Sequence, residues 1–262
     1  MIEYREGIPS WVDLSSPDLD ASARFYGELL GWEAAPSEEP VEETGGYRMF
    51  KRGGVEVAGL GPAQDGHPAA WTTYIAVDDV TAARERIENA GGTTVMEPLT
   101  VMDAGTMAIF TDGADGAFFA VWQANRHRGA QLVNAPGALT MNELDTRDFD
   151  GAARFYGEVF GWDAEPLEID GTLQYGFFRM DGRTVAGILP MGEQFPSEVP
   201  PHWVPYFGID DLEAGAAKVK QLGGHVLMEP TPVPEGRFLA ARDTHGAVFA
   251  LWEGSYDPPP GS

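Results

Sequence analysis

Short runs of alternating hydrophobic and polar residues follow stretches of helical spacing along this chain, and the same order of runs occurs four times. Residues 9–17 read as a strand. Asp18-Leu19-Asp20 then opens a helix, with acids suited to the free amides of a first turn. Leu19, Ala23, Tyr26, Leu29 and Leu30 recur at helical spacing, and Gly31 stands at the stop. YRMFKR and VEVAGLG follow as short strands joined across Gly53-Gly54, a hairpin signal. The pattern predicts a unit of strand, helix and about three strands. A second unit starts at Trp71. WTTYIAV is its first strand, Asp78-Asp79 opens a helix that runs to Gly91-Gly92, and three strands follow with DGADG as a tight turn. Units three and four, at about 139–191 and 202–254, repeat this grammar.

The four units fall into two copies of a longer pattern. Ala23-Arg24-Phe25-Tyr26-Gly27-Glu28 with Gly31-Trp32 returns as Ala153-Arg154-Phe155-Tyr156-Gly157-Glu158 with Gly161-Trp162. Trp71-x-x-Tyr74 returns as Trp203-x-x-Tyr206, Met96-Glu97-Pro98 as Met228-Glu229-Pro230, and Trp122 as Trp252. A solenoid repeats every ~20–50 residues, so this much longer period marks a duplicated domain. The expected plan is an α+β fold of two domains. Residues 1–123 hold modules at about 9–61 and 70–123. Residues 124–136 are a polar, irregular linker carrying Pro136, and 137–254 form the second domain. Residues 255–262, with their DPPPGS end, form a loose tail.

Composition narrows the function classes. With 43% hydrophobic residues, each half can bury a core. No apolar stretch reaches the ~20 residues of a membrane span. MIEYREGIPSW lacks the basic and apolar regions of a signal peptide, so a cytoplasmic protein is expected. The absence of cysteine excludes disulfides and thiolate chemistry. A net charge of −24, from 41 acids against 17 bases, disfavours nucleic acid as a partner. It suits either a cationic ligand or simple solubility. The expected partner is a small organic ligand, with a monomer or homodimer as the assembly.

Four βαβββ units paired into two domains resemble the vicinal-oxygen-chelate superfamily, which includes glyoxalase I, bleomycin-resistance proteins and extradiol dioxygenases. The carriers are the strand–acid–ARFY–GW openings at Asp18 and Asp148, the VDDV and IDDL helix starts, and the DG/HG turns before the last strands. The resemblance implies an open, U-shaped sheet around a cavity in each domain. It also implies metal-ligand positions, and these fall on Trp11, Thr72 and Ala120 in the first half and Met141, Val204 and Ala250 in the second. None of these sets is a normal ligand set, and alanine has no donor atom. No metal and no cofactor are therefore expected. His67, His127, His202, His225 and His245 are read as surface residues, with a reservation for His202, which lies nearest a ligand position.

Residues two apart on a strand share a face. If the former ligand positions face the cavities, Trp11, Asp13, Thr72, Tyr74, Phe118 and Trp122 line the first. Met141, Glu143, Val204, Tyr206, Val248 and Trp252 line the second. Trp122 and Trp252 could equally fill core. Trp71 and Trp203 have the opposite parity and should meet the helices. Asp13 and Glu143 are acids in otherwise apolar strands, costly to bury unless paired or functional. Three readings follow. The first is a metal-independent binding protein for an aromatic or natural-product-like ligand, similar to the bleomycin-resistance branch. The second is an isomerase- or lyase-like enzyme with Asp13 or Glu143 as general base and Tyr74 or Tyr206 as donor to an oxyanion. The third is a metal-dependent lyase or dioxygenase.

Overall fold

The computed structural model describes residues 2–34, 41–64, 66–169 and 171–259. The first sheet collects β1 (Pro9–Ser16), β2 (Arg48–Arg52), β3 (Val55–Pro62), β4 (Ala70–Ala76), β5 (Thr93–Val101), β6 (Gly105–Thr111) and β7 (Phe118–Ala124) in the order β2-β3-β1-β4-β7-β6-β5. Its helices are α1 (Leu19–Leu30), the short α2 (Val41–Thr44) and α3 (Val80–Asn89). The second sheet collects β8 (Leu139–Thr146), β9 (Asp163–Ile169), β10 (Thr172–Met180), β11 (Arg183–Pro190), β12 (His202–Gly208), β13 (His225–Val233), β14 (Gly236–Arg242) and β15 (Val248–Gly254). Their order is β13-β14-β15-β12-β8-β11-β10-β9, with α4 (Phe149–Phe160) and α5 (Leu212–Gln221). Each sheet joins two modules through an antiparallel pair of first strands, β1 with β4 and β8 with β12. The modules differ in one respect from the expected grammar. After α1 the described residues supply two strands, and a single bridge between Glu33 and Lys51 stands where the third module has β9.

The helix ends follow from the sequence. Asp18 and Asp148 accept from the amides of Ala21 and Gly151, which have no partner inside their helices. Gly31 and Gly161 close the same helices at φ 73° and 71°, a left-handed conformation that glycine adopts without a Cβ clash. Gly53 and Gly54 both take positive φ, as a tight hairpin turn requires.

The helices pack across the duplication. Phe25 and Tyr26 of α1 meet Phe249 of β15, with ring centroids 6.1 and 5.6 Å apart. Phe155 and Tyr156 of α4 meet Phe119 of β7 at 6.0 and 5.7 Å. One apolar core therefore mixes the first and fourth modules, and another the second and third. Polar relays mirror this exchange. Trp71 Nε1 donates to Tyr26 Oη (3.0 Å), whose hydroxyl donates to Asp243 Oδ2 (3.2 Å). Trp203 Nε1 donates to Tyr156 Oη (3.1 Å), which donates to Asp112 Oδ2 (3.2 Å). Both tryptophans meet the helices, as strand alternation predicts. Trp32 and Trp162 give their indole N–H groups to the carbonyls of Gly137 and Gly7, each in the other half, at 2.8 Å. A buried hydroxyl left without its partner costs about 1–3 kcal/mol, so these relays fix how the halves dock. No helix among the described residues is long and apolar enough to cross a membrane.

Candidate ligand-binding faces

The side of each sheet away from the helices carries an acid held by two tyrosines. On β1, Asp13 Oδ2 accepts from Tyr74 Oη (2.9 Å) and Tyr47 Oη (3.3 Å), and Trp11 Nε1 donates to Tyr47 Oη (3.2 Å). On β8, Glu143 accepts from Tyr206 at Oε1 (2.8 Å) and from Tyr175 at Oε2 (2.6 Å). In both halves the second tyrosine reaches the acid over a glycine on the adjoining parallel strand. Gly59 is paired with Asp13 and Gly187 with Glu143, and a Cβ at either glycine would collide with the tyrosine hydroxyl. The cradle is thus a four-residue device present twice.

Burial sets its electrostatics. It pushes the Asp13 carboxyl up to about 6, against the pull of its hydrogen bonds from Tyr74, Tyr47 and Thr72. Burial likewise raises Glu143, and the two tyrosine donors oppose it. Burial and the neighbouring acids push Tyr47, Tyr74, Tyr175 and Tyr206 well above the usual phenol value, so all four are neutral donors at physiological pH.

Beyond the cradle the two faces diverge. In the first half the linker folds over the sheet. Ala130 N donates to Ser10 O, Gln131 N to Glu56 O, and Trp122 Nε1 to His127 O. The His127 ring stands edge-on to Trp11, with centroids 4.4 Å apart, and its Nδ1 is 3.1 Å from Glu56 Oε2. That hydrogen bond holds the Glu56 carboxyl below its ordinary value. The expectation of a surface role for His127 is therefore corrected. The linker's backbone bonds draw the ring inward, and its side chain is only 9% exposed. Trp11, Tyr74, Ala120 and Trp122 are all buried and continuous with the main core through linker residues Ala130 and Val133.

In the second half Trp252 meets Ser255 O where Trp122 meets His127 O, and among the described residues no linker ring lies against it. Val204, Tyr206 and Ala250 form a small buried island edged by the partly exposed Met141, Phe238, Val248 and Trp252. Trp252 Nε1 donates to Ser255 O at 3.1 Å, and the tail then leaves toward the linker, where Asn134 Nδ2 donates to Asp257 O. The tail expected to be loose is thus anchored there, and residues 260–262 lie outside the described part. A second acid stands beside the cradle. Asp145 is two residues beyond Glu143 on the same side of β8, buried to 4% exposure, with one carboxyl oxygen unpartnered. Burial and Glu143 push its carboxyl far above the carboxylate range. His202 is paired with it across β12, Nε2 to Oδ2 at 3.7 Å, and burial lowers that imidazole's pKa.

The residues singled out from the sequence divide accordingly. Asp13, Tyr74 and Trp11 lie together on the first face, Glu143 and Tyr206 together on the second. Thr72 sits opposite Asp13 and Val204 opposite Glu143 in strand register. Met141 and Trp252 border the second face, and Trp122 is sealed under the linker. Phe118, expected to line the first cavity, is 57% exposed as the first residue of β7. Tyr47, Tyr175, Gly59, Gly187 and His127 were not singled out for these faces. A signal existed for the first four, since Tyr47-x-x-Phe50 returns as Tyr175-x-x-Phe178 and Ala58-Gly59 as Ala186-Gly187.

The positions at which the resemblance places metal ligands carry an indole engaged with Tyr47, a threonine, an alanine, a methionine, a valine and a second alanine. Among the described residues no three His, Asp or Glu side chains are grouped to hold an ion. These residues do not fit the divalent metal of the metal-dependent relatives.

The comparisons with known proteins agree with the fold. A protein from Mycobacterium tuberculosis, CFP32, provisionally described as a glyoxylase, is 41% identical over 255 residues, covering 95% of each chain. The anthracycline biosynthesis protein DnrV of Streptomyces peucetius is 36% identical over 268 residues, covering 97% of this chain and 95% of its own. Among solved structures, the Mn(II)-bound glyoxalase from Novosphingobium aromaticivorans superposes with a TM-score of 0.67 at 20% identity, over 97% of this chain and 86% of that one. Residues 8–121 and 140–251 both match one family, and the chain accordingly belongs to the Glyoxalase/Bleomycin resistance protein/Dioxygenase superfamily.

Proposed function

We propose that the protein binds a planar, aromatic, natural-product-like molecule without a metal, on the open face of its second domain. The observation that carries this reading is a rim of partly exposed apolar side chains (Met141, Phe238, Val248, Trp252) around buried Val204 and Tyr206, with an acid–tyrosine cradle beside it. Organic ligands are held by apolar walls with a few placed polar groups, and partly exposed aromatic rings supply stacking surface. Tyr175 and Tyr206 already give their protons to Glu143, so the cradle offers acceptor oxygens, which suits ring hydroxyl groups. The DnrV relative is named for anthracycline biosynthesis, which agrees with this ligand class. The test is a titration of chelator-stripped protein with a hydroxyanthraquinone, followed by tryptophan quenching. Saturable binding that zinc, nickel, manganese and iron(II) leave unchanged supports the reading, and binding that appears only with metal overturns it.

The Asp145–Glu143 pair with His202 favours a second reading, an acid–base enzyme on the same face. Burial raises both carboxyls and each disfavours ionisation of the other, so the pair can hold a proton that one carboxyl donates while the other accepts. Such an enzyme exchanges a ligand C–H beside a carbonyl with solvent deuterium. Tight binding with no exchange excludes it.

A further inference from the structure

The His127 ring is held as a bound ligand is held. Two indoles flank it, Trp11 at 4.4 Å and Trp122 at 5.7 Å between centroids, both edge-on. One carboxylate, Glu56, engages Nδ1 at 3.1 Å. The other ring nitrogen, Nε2, is buried and has no hydrogen-bond partner. Aromatic walls with a single charge-assisted polar anchor are the make-up of a small-molecule site, here filled from within the chain. The segment that delivers the ring is fixed on the β5–β6 turn, β1 and β3, through His127 N to Ala104 O (3.1 Å), Ala130 N to Ser10 O (2.9 Å) and Gln131 N to Glu56 O (3.0 Å). Among the described residues the second domain has no such occupant. Met141 stands where Trp11 does, Thr184 where Glu56 does, and Trp252 meets a backbone carbonyl three residues on instead of five.

We propose that His127 is a resident ligand of the first concave face, and that the space it fills is a specific site for a small heteroaromatic ring bearing an N–H. In this arrangement Nδ1–H donates to Glu56 and the indole walls exclude water from the ring. The first domain is then a latent site that the interdomain linker occupies in cis.

The probe is imidazole, titrated into full-length His127→Gly and His127→Ala by calorimetry and thermal melting. The expected result is saturable one-to-one binding to both variants, with a rise in melting temperature absent from the unsubstituted protein. Adding Glu56→Gln weakens this binding roughly tenfold, the loss of one charge-assisted hydrogen bond. At alkaline pH, where 1-methylimidazole is neutral and carries no ring N–H, it binds as weakly as the Gln variant binds imidazole. If a variant loses its fold, recovery of its near-ultraviolet tryptophan dichroism with imidazole supports the proposal, and failure to recover overturns it. Folded variants that ignore imidazole, or that take toluene and 1-methylimidazole equally well, also overturn it, since His127 then only fills a void.

Discussion

The two concave faces are copies of one design set in different surroundings. Both keep an acid, two tyrosines and a glycine that lets one tyrosine reach the acid. Around that shared centre the first face is closed by Trp11, Trp122 and the linker's His127, and its residues merge with the main core. The second has Met141 and Thr184 at the matching places, a partly exposed Trp252, an additional buried acid and a half-buried histidine. The cradle acid is half-buried on the first face and fully buried on the second, so the exposed surface of the second face is its apolar rim. The comparison teaches that a repeated polar motif does not by itself locate function, and that what covers it decides.

The sharpest way to break this comparison is to remove the two matching tryptophans. Trp122→Ala should cost about 3–5 kcal/mol in chemical denaturation, as for a fully buried indole. Trp252→Ala should cost only about 1–2 kcal/mol, because its ring already meets solvent. Equal costs would mean that the second face is as closed as the first. The glycines come next. Gly59→Ala and Gly187→Ala each push a tyrosine hydroxyl off its acid, at about 2–3 kcal/mol by overpacking and a lost hydrogen bond. Gly187→Ala should also weaken hydroxyanthraquinone binding, while Gly59→Ala leaves it unchanged.

Smaller and symmetric effects are expected from Tyr26→Phe and Tyr156→Phe. Each removes the middle of one Trp–Tyr–Asp relay and should cost about 1–2 kcal/mol, the same in both halves within error. A large inequality would show that the interlocking cores are not equivalent. Unfolding should remain one cooperative transition in all variants, because each core contains residues of both domains.

A last effect, absent at low pH, concerns Asp13. Its carboxyl titrates at about 6 when folded, above 3.8 when unfolded, so the folded state holds the proton more tightly. Stability from this group is complete below pH ~3.8 and is lost as pH rises through 6. Asp13→Asn removes that loss and still accepts from Tyr74, so it should stabilise the protein by about 1–2 kcal/mol at pH 8. Little change should appear at pH 4. Stabilisation greater at pH 4 than at pH 8 would reverse the assigned cause.

Much of the fold was legible because local rules dictate it. Asp18 and Gly31 cap a helix wherever it lies, and the parity that sent Trp71 to the helices needs only strand alternation. The cradle was half legible. Asp13 and Tyr74 lie on adjacent first strands, and alternation puts them on one face. Tyr47 and Tyr175 come from outside those strands and reach the acid only across Gly59 and Gly187, through a parallel register that no single strand encodes. The internal repeat carried the clue, since both tyrosines and both glycines recur. His127 had no such clue. It has no counterpart in the second half, and its place depends on where a polar linker folds back.

The measurement that bears most directly on the contrast between the faces is hydroxyanthraquinone binding to Trp252→Phe and Trp122→Phe, by calorimetry so that no indole signal is needed. Affinity should fall at least about tenfold in Trp252→Phe and stay within about twofold of the unsubstituted protein in Trp122→Phe. The reverse pattern, with binding lost only when Trp122 is changed, would place the ligand on the first face and contradict the division of labour drawn here.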